Sequence, residues 1–196
     1  MLGKPVNQRA TGSRRVRPER RRGGRSLRWV RWVVAALVLL VVLIGASLGG
    51  LILATLPGGN LSAAIPGLSA PVDVSIDADG IPRIRAQNRL DAAAALGFLH
   101  ARERMFQMDG MRRAAAGELS EIAGPSTLGI DRMMRTLGVR RSAEADLAAL
   151  PPDVHALLDA YASGVNAWIG RRGRFAAEEF VWFGAPKPWS AVDSLL

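Results

Sequence analysis

The sequence contains no cysteine among its 196 residues. This absence excludes a disulfide scaffold, a thiolate metal site and a cysteine nucleophile. Histidine is almost as scarce, because only His100 and His155 are present. Arg104 stands four residues after His100, so the sequence has no HExxH zinc-binding pair. We interpret both histidines as helix-surface or half-buried residues rather than as metal ligands.

Motifs for nucleophilic and phosphate chemistry are almost absent as well. A G-x-S-x-G sequence, which would hold the nucleophile of an α/β-hydrolase at a strand-to-helix turn, occurs once, at Gly45-Ala46-Ser47-Leu48-Gly49, and there it lies inside a long uncharged run without a strand before it. Gly-rich phosphate-binding loops are absent. Two acid pairs, Asp77 with Asp79 and Glu178 with Glu179, are explained better by solvated turns and loops than by acid–base chemistry. The sequence therefore offers no catalytic residue and no metal ligand within residues 1–196.

Acidic residues are nearly absent from the N-terminal segment. Up to Arg31 there are eleven Lys or Arg residues and a single acid, Glu19, which gives this segment a charge of +10. The remainder has fifteen basic and sixteen acidic residues, so the formal net charge of +9 belongs to the N-terminal segment alone. No aromatic residue lies within residues 1–25 to stack on a base. We predict a disordered basic tail over residues 1–26 and no binding of nucleic acid.

A long uncharged run follows the basic tail. Residues 33–56 carry no charge and consist mainly of Val, Leu, Ala and Ile. A helix of this length spans about 36 Å, more than the ~30 Å hydrocarbon core of a bilayer. We predict a single-pass transmembrane helix over residues 27–56 that contacts the cell membrane through residues 33–56. The Arg-rich tail is expected in the cytoplasm and the body outside. The alternative is a cleaved signal peptide, because small residues at 45–50 and 62–64 would suit a cleavage site.

The body of the protein is predicted to follow a Gly/Pro/Ser-rich linker at residues 57–71. Apolar residues alternate over 72–76, and a second short run covers 81–86. The Asp79-Gly80 turn between these runs indicates a β-hairpin. Pro82 cannot donate to a strand ladder, so we expect it at a strand end or a sheet edge.

Helical spacing dominates after the hairpin. We predict helices over residues 89–116 with Gly117 as the stop, over 130–149, and from Val154 to Ile169 with Gly170 and Gly173 ending the last one. Ser190 and Asp193 have the spacing of a capping box, and the apolar residues after it announce a further helix. We therefore interpret the sequence as a fragment of a longer protein.

The first of these helices carries charged and polar residues on several sides. They are Arg102, Glu103, Arg104, Gln107, Asp109, Arg112 and Arg113. A surface helix usually keeps its polar residues on one face, so this distribution favours a helix packed on more than one side with fixed ion pairs. Surface pairing at i,i+4, for instance Asp109 with Arg113, is the alternative. We predict that Arg104 and Arg112 both belong to buried pairs.

The most specific pattern starts inside the hairpin and extends to the last residues. It reads Asp77-Ala78-Asp79-Gly80-Ile81-Pro82-Arg83-Ile84, then Gly97-Phe98, Ala101-Arg102-Glu103-Arg104-Met105-Phe106-Gln107-Met108-Asp109, Arg112-Arg113, Gly117-Glu118-Leu119-Ser120-Glu121 and Gly124. Further matches are Asp131, Arg135, Leu137-Gly138, Tyr161-Ala162-Ser163-Gly164-Val165-Asn166-Ala167-Trp168, Pro188-Trp189 and Asp193. In order and spacing these residues resemble the penicillin acylase family, from about Val72 to the last residue. Arg83 stands where the family usually has histidine.

The resemblance implies an N-terminal-nucleophile hydrolase of the α+β class, a four-layer αββα fold of which residues 72–196 would form the mostly helical N-terminal part. Such enzymes are made as one precursor and cut themselves, and the new N-terminal serine attacks an amide with its own α-amino group as base. The resemblance places that serine, the acyl pocket and the ligands of a structural calcium ion beyond residue 196. It implies no catalytic cofactor. The implied partners are a small N-acyl amide substrate and the remainder of the precursor.

Two other functions are compatible with the residues alone. One is a non-enzymatic, membrane-anchored helical module whose basic tail binds anionic lipid. The other is a family relative that has lost its nucleophile. The resemblance favours an amidohydrolase that is inactive as this fragment and active at full length. The resemblance does not single out one substrate, because members of the family act on β-lactam side chains, acyl-homoserine lactones and other N-acyl compounds.

Overall fold

A computed structural model describes residues 24–55 and 61–196. Helix α1 covers Gly24–Thr55. It begins three residues before the predicted start at residue 27, so Gly24 to Ser26, which were predicted as the end of the disordered tail, are helical. It is the one helix within the described residues that is long and apolar enough to cross a membrane, a test that a signal sequence near the N-terminus also passes. The predicted tail up to residue 23 and the predicted linker residues 57–60 lie outside the described residues.

The predicted hairpin is confirmed. Strand β1 (Asp73–Ile76) pairs antiparallel with β2 (Pro82–Arg85), with Asp73 opposite Arg85 and Ile76 opposite Pro82. Gly80 adopts a φ of 79°, which the turn requires and which glycine tolerates at no steric cost. The Asp77 carboxylate accepts the backbone N–H groups of Asp79 and Ile81 at 3.1 and 2.9 Å. Asp77 and Asp79 therefore shape the turn, as the solvated-turn interpretation expects.

Helix α2 (Arg89–Ala116) has the predicted bounds. The Asn88 side chain accepts the N–H of Asp91 at its start, and Gly117 closes its end in the left-handed conformation at φ 72°. The helix is kinked at Arg104, whose φ of −142° is not helical, and this break was not predicted. Glu103 and Arg104 are exposed at the kink, whereas Met105 after them is buried.

The long helix predicted over residues 130–149 is wrong in one respect, because the structure has two helices there. A short helix α3 (Ser120–Ala123) and a 3₁₀ turn (Pro125–Thr127) lead into α4 (Leu128–Leu137), and α5 (Val139–Ala149) follows. Gly138 separates α4 from α5 at a φ of 71°, a left-handed backbone that ends the first helix as glycine commonly does.

Helix α6 (Pro152–Arg172) begins two residues before the predicted start at Val154, because proline is well suited to the first turn of a helix. Gly170 lies inside the helix and Gly173 caps it, so only the second predicted stop is used. A 3₁₀ turn (Gly173–Phe175), the short helix α7 (Phe180–Phe183) and a 3₁₀ helix (Ala191–Ser194) complete the chain. The predicted capping box of Ser190 and Asp193 is present at the start of the last element.

The core lies between α2 and α6. Two glycines let these helices approach closely, since a Cβ on Gly97 would lie 2.1 Å from the Tyr161 carbonyl oxygen and one on Gly164 only 1.8 Å from that of Ala94. Phe98 packs edge-to-face on Trp168, with ring centroids 5.6 Å apart. The buried core residues are Phe98, Ala101, Met105, Ala162, Val165, Trp168, Ala176, Phe180 and Trp189. Trp168 is thus core, as its helical spacing predicted.

The described part of the chain is therefore mostly helical, with one two-stranded antiparallel hairpin. Within residues 24–55 and 61–196 this hairpin is the only sheet, so the layered sheets of the expected αββα fold are not visible there.

Candidate functional site

A buried cluster of opposite charges forms around Asp109 in the second half of α2. The Asp109 side chain is fully buried. Its Oδ1 accepts a hydrogen bond from Arg112 Nε at 2.8 Å, and its Oδ2 accepts one from Arg113 Nε at 2.7 Å. Each carboxylate oxygen thus has its own guanidinium, and both arginines are themselves buried. The i,i+3 and i,i+4 spacing of one helix brings these three groups together.

Arg112 connects α2 to the final segment of the chain. Its guanidinium donates to the backbone oxygens of Lys187 at 2.8 Å and Pro188 at 3.0 Å, and lies 3.4 Å from Asp193 Oδ2. The same guanidinium sits over the Trp189 ring, 5.0 Å from its centroid. Hydrogen bonds, an ion pair and a cation–π contact therefore all hold one side chain in place.

Helix α6 also binds the final segment of the chain, through hydrogen bonds made by Asn166. Asn166 accepts the Trp189 N–H at 2.7 Å and donates to the Trp189 carbonyl at 2.8 Å. Since Arg112 and Asn166 both bond to residues 187–189, this segment closes over the α2–α6 pair. Ser190 donates its N–H and its hydroxyl to Asp193 at 2.8 Å each, which fixes the carboxylate that faces Arg112.

Arg113 extends the cluster toward α3. Its Nη1 lies 2.5 Å from Glu121 Oε2, and Lys187 Nζ lies 3.1 Å from the same oxygen. Burial alone would lower the pKa of Arg113, but hydrogen bonding and charge from Asp109, and then from Glu121, raise that pKa above its usual value. Hydrogen bonding by Lys187, followed by that of Arg113, lowers the pKa of Glu121. Both groups are therefore held in their charged forms.

The cluster borders a pocket of about 120 Å³. Six of its lining residues are Arg112, Arg113, Glu118, Arg140, Lys187 and Asp193. None of the residues that line this pocket is a serine, threonine or histidine, so the pocket holds no hydroxyl nucleophile, and its Glu118, Lys187 and Asp193 side chains are engaged in ion pairs. The ion pairs of this cluster hold α2, α3 and the final segment of the chain together. The cluster offers no acyl-transfer chemistry of its own.

The prediction of buried pairs on α2 is right for Arg112 and wrong for Arg104. Asp109, Arg112 and Arg113 are buried and paired as expected. Arg104 was predicted to be buried and is exposed, because the kink at this residue turns it to solvent. The partner of Arg112 across 81 residues, Asp193, was predicted only as a helix cap. No local pattern links two residues so far apart in sequence.

The two histidines have surface roles, as interpreted. His100 is exposed, with Nδ1 3.0 Å from Tyr161 Oη. His155 is partly buried and pairs with Asp159 one helical turn away, at 2.9 Å. Within residues 24–55 and 61–196 there is no group of three or more His, Cys, Asp or Glu side chains that would hold a metal ion.

Asp91 was not singled out by its sequence pattern, yet it organises the entry to α2. Its carboxylate accepts the Ser69 N–H at 2.9 Å, the Ser69 hydroxyl at 2.7 Å and the Ala70 N–H at 3.2 Å. Asn88 Nδ2 donates to it at 2.8 Å. The hydrogen bonds from Ser69, more than the others, lower the pKa of Asp91. This carboxylate ties the segment before the hairpin to the start of α2.

Asp131 fixes the chain just after α2, as Asp91 does just before it. It is buried in α4, and its carboxylate accepts the N–H groups of Leu119 at 2.9 Å and Ser120 at 2.8 Å. The hydrogen bonds from Ser120 make the largest contribution to lowering the pKa of Asp131. Arg135 Nε donates to the Gly117 carbonyl at 2.7 Å. Asp131 and Arg135 had been quoted as pattern residues without a role, and the structure shows that they bind α4 to the turn after α2.

Comparison with known proteins identifies the architecture that this cluster serves. The sequence model of the penicillin amidase family matches residues 71–196, which include the hairpin, α2 to α7 and every member of the charge cluster. The chain belongs to the penicillin amidase family. The resemblance inferred from the sequence is thus confirmed.

Several curated members of the family are similar to this chain. Penicillin acylase 2 proenzyme from Pseudomonas sp. is 39% identical over 142 residues, which are 72% of this chain and 18% of the relative. The acyl-homoserine lactone acylase QuiP from Pseudomonas aeruginosa is 36% identical over 143 residues, 72% of this chain and 17% of the relative. Penicillin G acylase from Escherichia coli is 30% identical over 139 residues, 68% of this chain and 16% of the relative. The chain spans less than a fifth of the length of each of these proteins.

A solved family member has a similar structure. Thermostable penicillin G acylase from Alcaligenes faecalis superposes with a TM-score of 0.57 at 29% identity, covering 63% of this chain and 68% of the solved chain. The described helices and hairpin thus resemble part of a penicillin amidase family structure.

Proposed function

We propose that this chain is the N-terminal portion of a self-processing amidohydrolase that cleaves linear amide bonds of N-acyl compounds. The observation that carries the proposal is the family match over residues 71–196, together with identities of 30–39% to proteins named as penicillin and acyl-homoserine lactone acylases. A relative such as penicillin acylase 2 proenzyme is more than five times as long as the region that matches this chain. By analogy, the remaining polypeptide of the enzyme supplies the catalytic serine and the rest of a four-layer αββα fold.

The proposed chemistry gives this chain a positioning role. A serine freed by cleavage attacks the amide carbonyl, its α-amino group takes the proton, and donors fixed by the fold stabilise the oxyanion. Small displacements of such groups are costly to catalysis, so the scaffold must be rigid. The cluster around Asp109 supports that role, because it fastens α2, α3 and residues 187–193 to one another.

Hydrolysis assays on two proteins test the proposal. The 196-residue chain and the product of the complete coding region are purified and offered penicillin G and an N-acyl-homoserine lactone, two substrate classes taken from the names of the relatives. The complete product is expected to release the acyl group from at least one of them, and the 196-residue chain from neither. Release by the 196-residue chain that is lost on mutating one of its own residues would place the active site here and contradict the proposal.

We also infer a membrane topology from α1 and the charges before it. The helix is apolar over a span sufficient for a bilayer, and the +10 segment precedes it. The tail is then cytoplasmic and the enzyme domain extracytoplasmic, on a single-pass anchor. A phosphatase reporter fused after Pro71 is expected to be active only outside the membrane. Reporter activity in the cytoplasm would overturn the topology, and a mature protein that starts after Ser62 would replace the anchor with a cleaved signal.

A further inference from the structure

Helix α4 shows its apolar side to solvent. Ile130, Met133 and Leu137 follow i,i+3,i+7 spacing, and their exposed fractions are 43%, 51% and 65%. We call these three residues the α4 stripe. Asp131, by contrast, is a charged residue of the same helix and is only 3% exposed. A surface helix normally buries its apolar face and exposes its charges, so α4 is turned the opposite way.

Polar contacts hold α4 in this orientation. Asp131 accepts the N–H groups of Leu119 and Ser120, and Arg135 donates to the Gly117 carbonyl at 2.7 Å. A Cβ on Gly117 would lie 2.6 Å from the Asp131 carbonyl oxygen, so the two segments touch at their backbones. Rotating α4 to bury its stripe would break all three hydrogen bonds. The outward stripe is therefore a fixed feature of the fold.

An ordered apolar stripe on a surface is characteristic of a covered interface. The chain spans less than a fifth of three curated relatives, so those proteins contain a large further polypeptide. It covers 68% of the solved relative's chain, so that chain is of comparable length to this one and much shorter than the curated proteins. A chain of about this size therefore occurs in one solved family member, and the curated relatives contain further polypeptide that could cover its apolar surfaces.

We propose that the α4 stripe docks the polypeptide that the same gene encodes after Leu196, through an apolar groove or helix face that receives Ile130, Met133 and Leu137. This assignment rests on the proposed function, which supplies that polypeptide. The recognition is apolar, and Asp131 and Arg135 orient α4 for it without touching the partner. Residues at i,i+3,i+7 on one helix are the anchors that a helix-in-groove contact uses.

Paired substitutions test the stripe. Met133→Gln with Leu137→Gln removes its apolar character without adding charge, and Arg132→Gln on the same helix is the matched control at an exposed position. The polypeptide encoded after Leu196 is co-expressed with its own tag, and its affinity for each 196-residue chain is measured. We expect binding at least tenfold weaker for the double variant and unchanged for Arg132→Gln. Thermal unfolding of the chain alone should be the same for all three, because the stripe is already in water.

The contrary outcomes are distinct. Equal binding by the double variant and the unsubstituted chain overturns the docking surface and leaves the proposed function intact. A coding region that ends at Leu196, or a downstream polypeptide that does not bind, removes both.

Self-association of the 196-residue chain that the double variant abolishes would assign the stripe to a second copy. Flotation with phosphatidylglycerol–phosphatidylethanolamine vesicles, lost in the double variant but retained by Arg132→Gln, would assign it to a lipid surface. Either result overturns the proposal.

Discussion

Asp109 is the residue whose charge is most completely removed from water in the described cluster. Its side chain has no exposed area, and Arg112 and Arg113 each donate to a separate oxygen. A buried carboxylate is tolerated only when its charge is matched and its lone pairs are filled, and both conditions are met here. The stabilisation therefore depends on all three side chains together, since removing one leaves the others buried and uncompensated.

Asp109→Asn is expected to destabilise the chain by about 3–5 kcal/mol, because two buried guanidinium groups lose their common counter-charge. Asp159→Asn is the matched control, since Asp159 pairs with His155 at the surface and its side chain is 60% exposed. An exposed pair contributes at most about 1 kcal/mol. Urea unfolding followed by circular dichroism measures both changes. Equal, small losses in the two variants would show that the Asp109 cluster is energetically unimportant.

Asp91 and Asp131 make stability depend on acid pH. Hydrogen bonds in the folded protein lower the pKa of both carboxyl groups, those from Ser69 for Asp91 and those from Ser120 for Asp131. The ionised forms are therefore stabilised by folding. That contribution is fully present above the unfolded pKa of about 3.9 and is lost as the pH falls through the lower folded pKa.

The free energy of unfolding should accordingly begin to fall below about pH 5, one unit above the unfolded value, and should keep falling until the pH is below the lowered folded pKa. Asp131→Asn should be less stable at neutral pH and should lose less on acidification, because one of the linked groups no longer titrates. Asp146→Asn, at an exposed position of α5, is the control and should keep the full acid dependence. An unchanged pH slope in Asp131→Asn would contradict the role given to this carboxylate.

At the scale of elements, α2 and α6 form the centre of the structure because glycine lets them touch. A side chain at Gly164 would collide with the Ala94 carbonyl at 1.8 Å, which is backbone and cannot move aside alone. Gly170 lies in the same helix with nothing within 4 Å of an added Cβ. A side chain is therefore sterically excluded at Gly164 and accommodated at Gly170.

Gly164→Ala is expected to lower stability by about 1–3 kcal/mol or more, because overpacking outweighs the better helix propensity of alanine. Gly170→Ala should instead raise stability by up to about 1 kcal/mol, since only the propensity term applies. Melting temperatures of the two variants, measured side by side, make the comparison. A Gly164→Ala variant as stable as Gly170→Ala would mean that the α2–α6 contact is looser than the structure shows.

The sequence predicted those elements that are determined by residues close to one another in the chain. The hairpin follows from alternation and the Asp79-Gly80 turn, and the end of α2 from Gly117. Gly138 was passed over because apolar residues continue on both sides of it, and hydrophobic periodicity does not register a single left-handed residue. The kink at Arg104 has neither proline nor glycine within residues 101–107 to announce it.

The candidate site was predictable only where its partners are neighbours on one helix. Asp109 reaches Arg112 and Arg113 at i,i+3 and i,i+4, which the charge pattern indicates. The bonds from Arg112 to Lys187, Pro188 and Asp193 depend on tertiary packing, as does the capping of Leu119 and Ser120 by Asp131. Which side of α4 faces inward is likewise decided by tertiary polar contacts.

At the scale of the whole molecule, the chain belongs to the penicillin amidase family, and the charge cluster of its described residues positions segments of the chain. The penicillin amidase match covers the whole charge cluster. On the proposed function, cleavage of the complete product requires this region to be folded, so the fraction of precursor that is cut would report whether the cluster is intact.

Arg112→Ala in the complete product is expected to leave the precursor uncut, because Asp109 loses one of its two buried guanidinium partners, Asp193 loses its buried one, and the carbonyls of Lys187 and Pro188 lose their hydrogen bonds. Arg104→Ala, an identical change at an exposed position of α2, should be processed normally. Electrophoresis of the purified products measures the fraction cut. Normal processing of Arg112→Ala would show that the cluster does not govern maturation.

N-terminal sequencing and intact-mass measurement of the protein made from the complete coding region test the assignment most directly. We predict two chains, one containing residues 71–196 and a second that begins with a serine encoded after Leu196. Replacing that serine with alanine should abolish cleavage and amide hydrolysis together. A product that hydrolyses N-acyl amides as a single uncut polypeptide, or a nucleophile traced to residues 1–196, would contradict it.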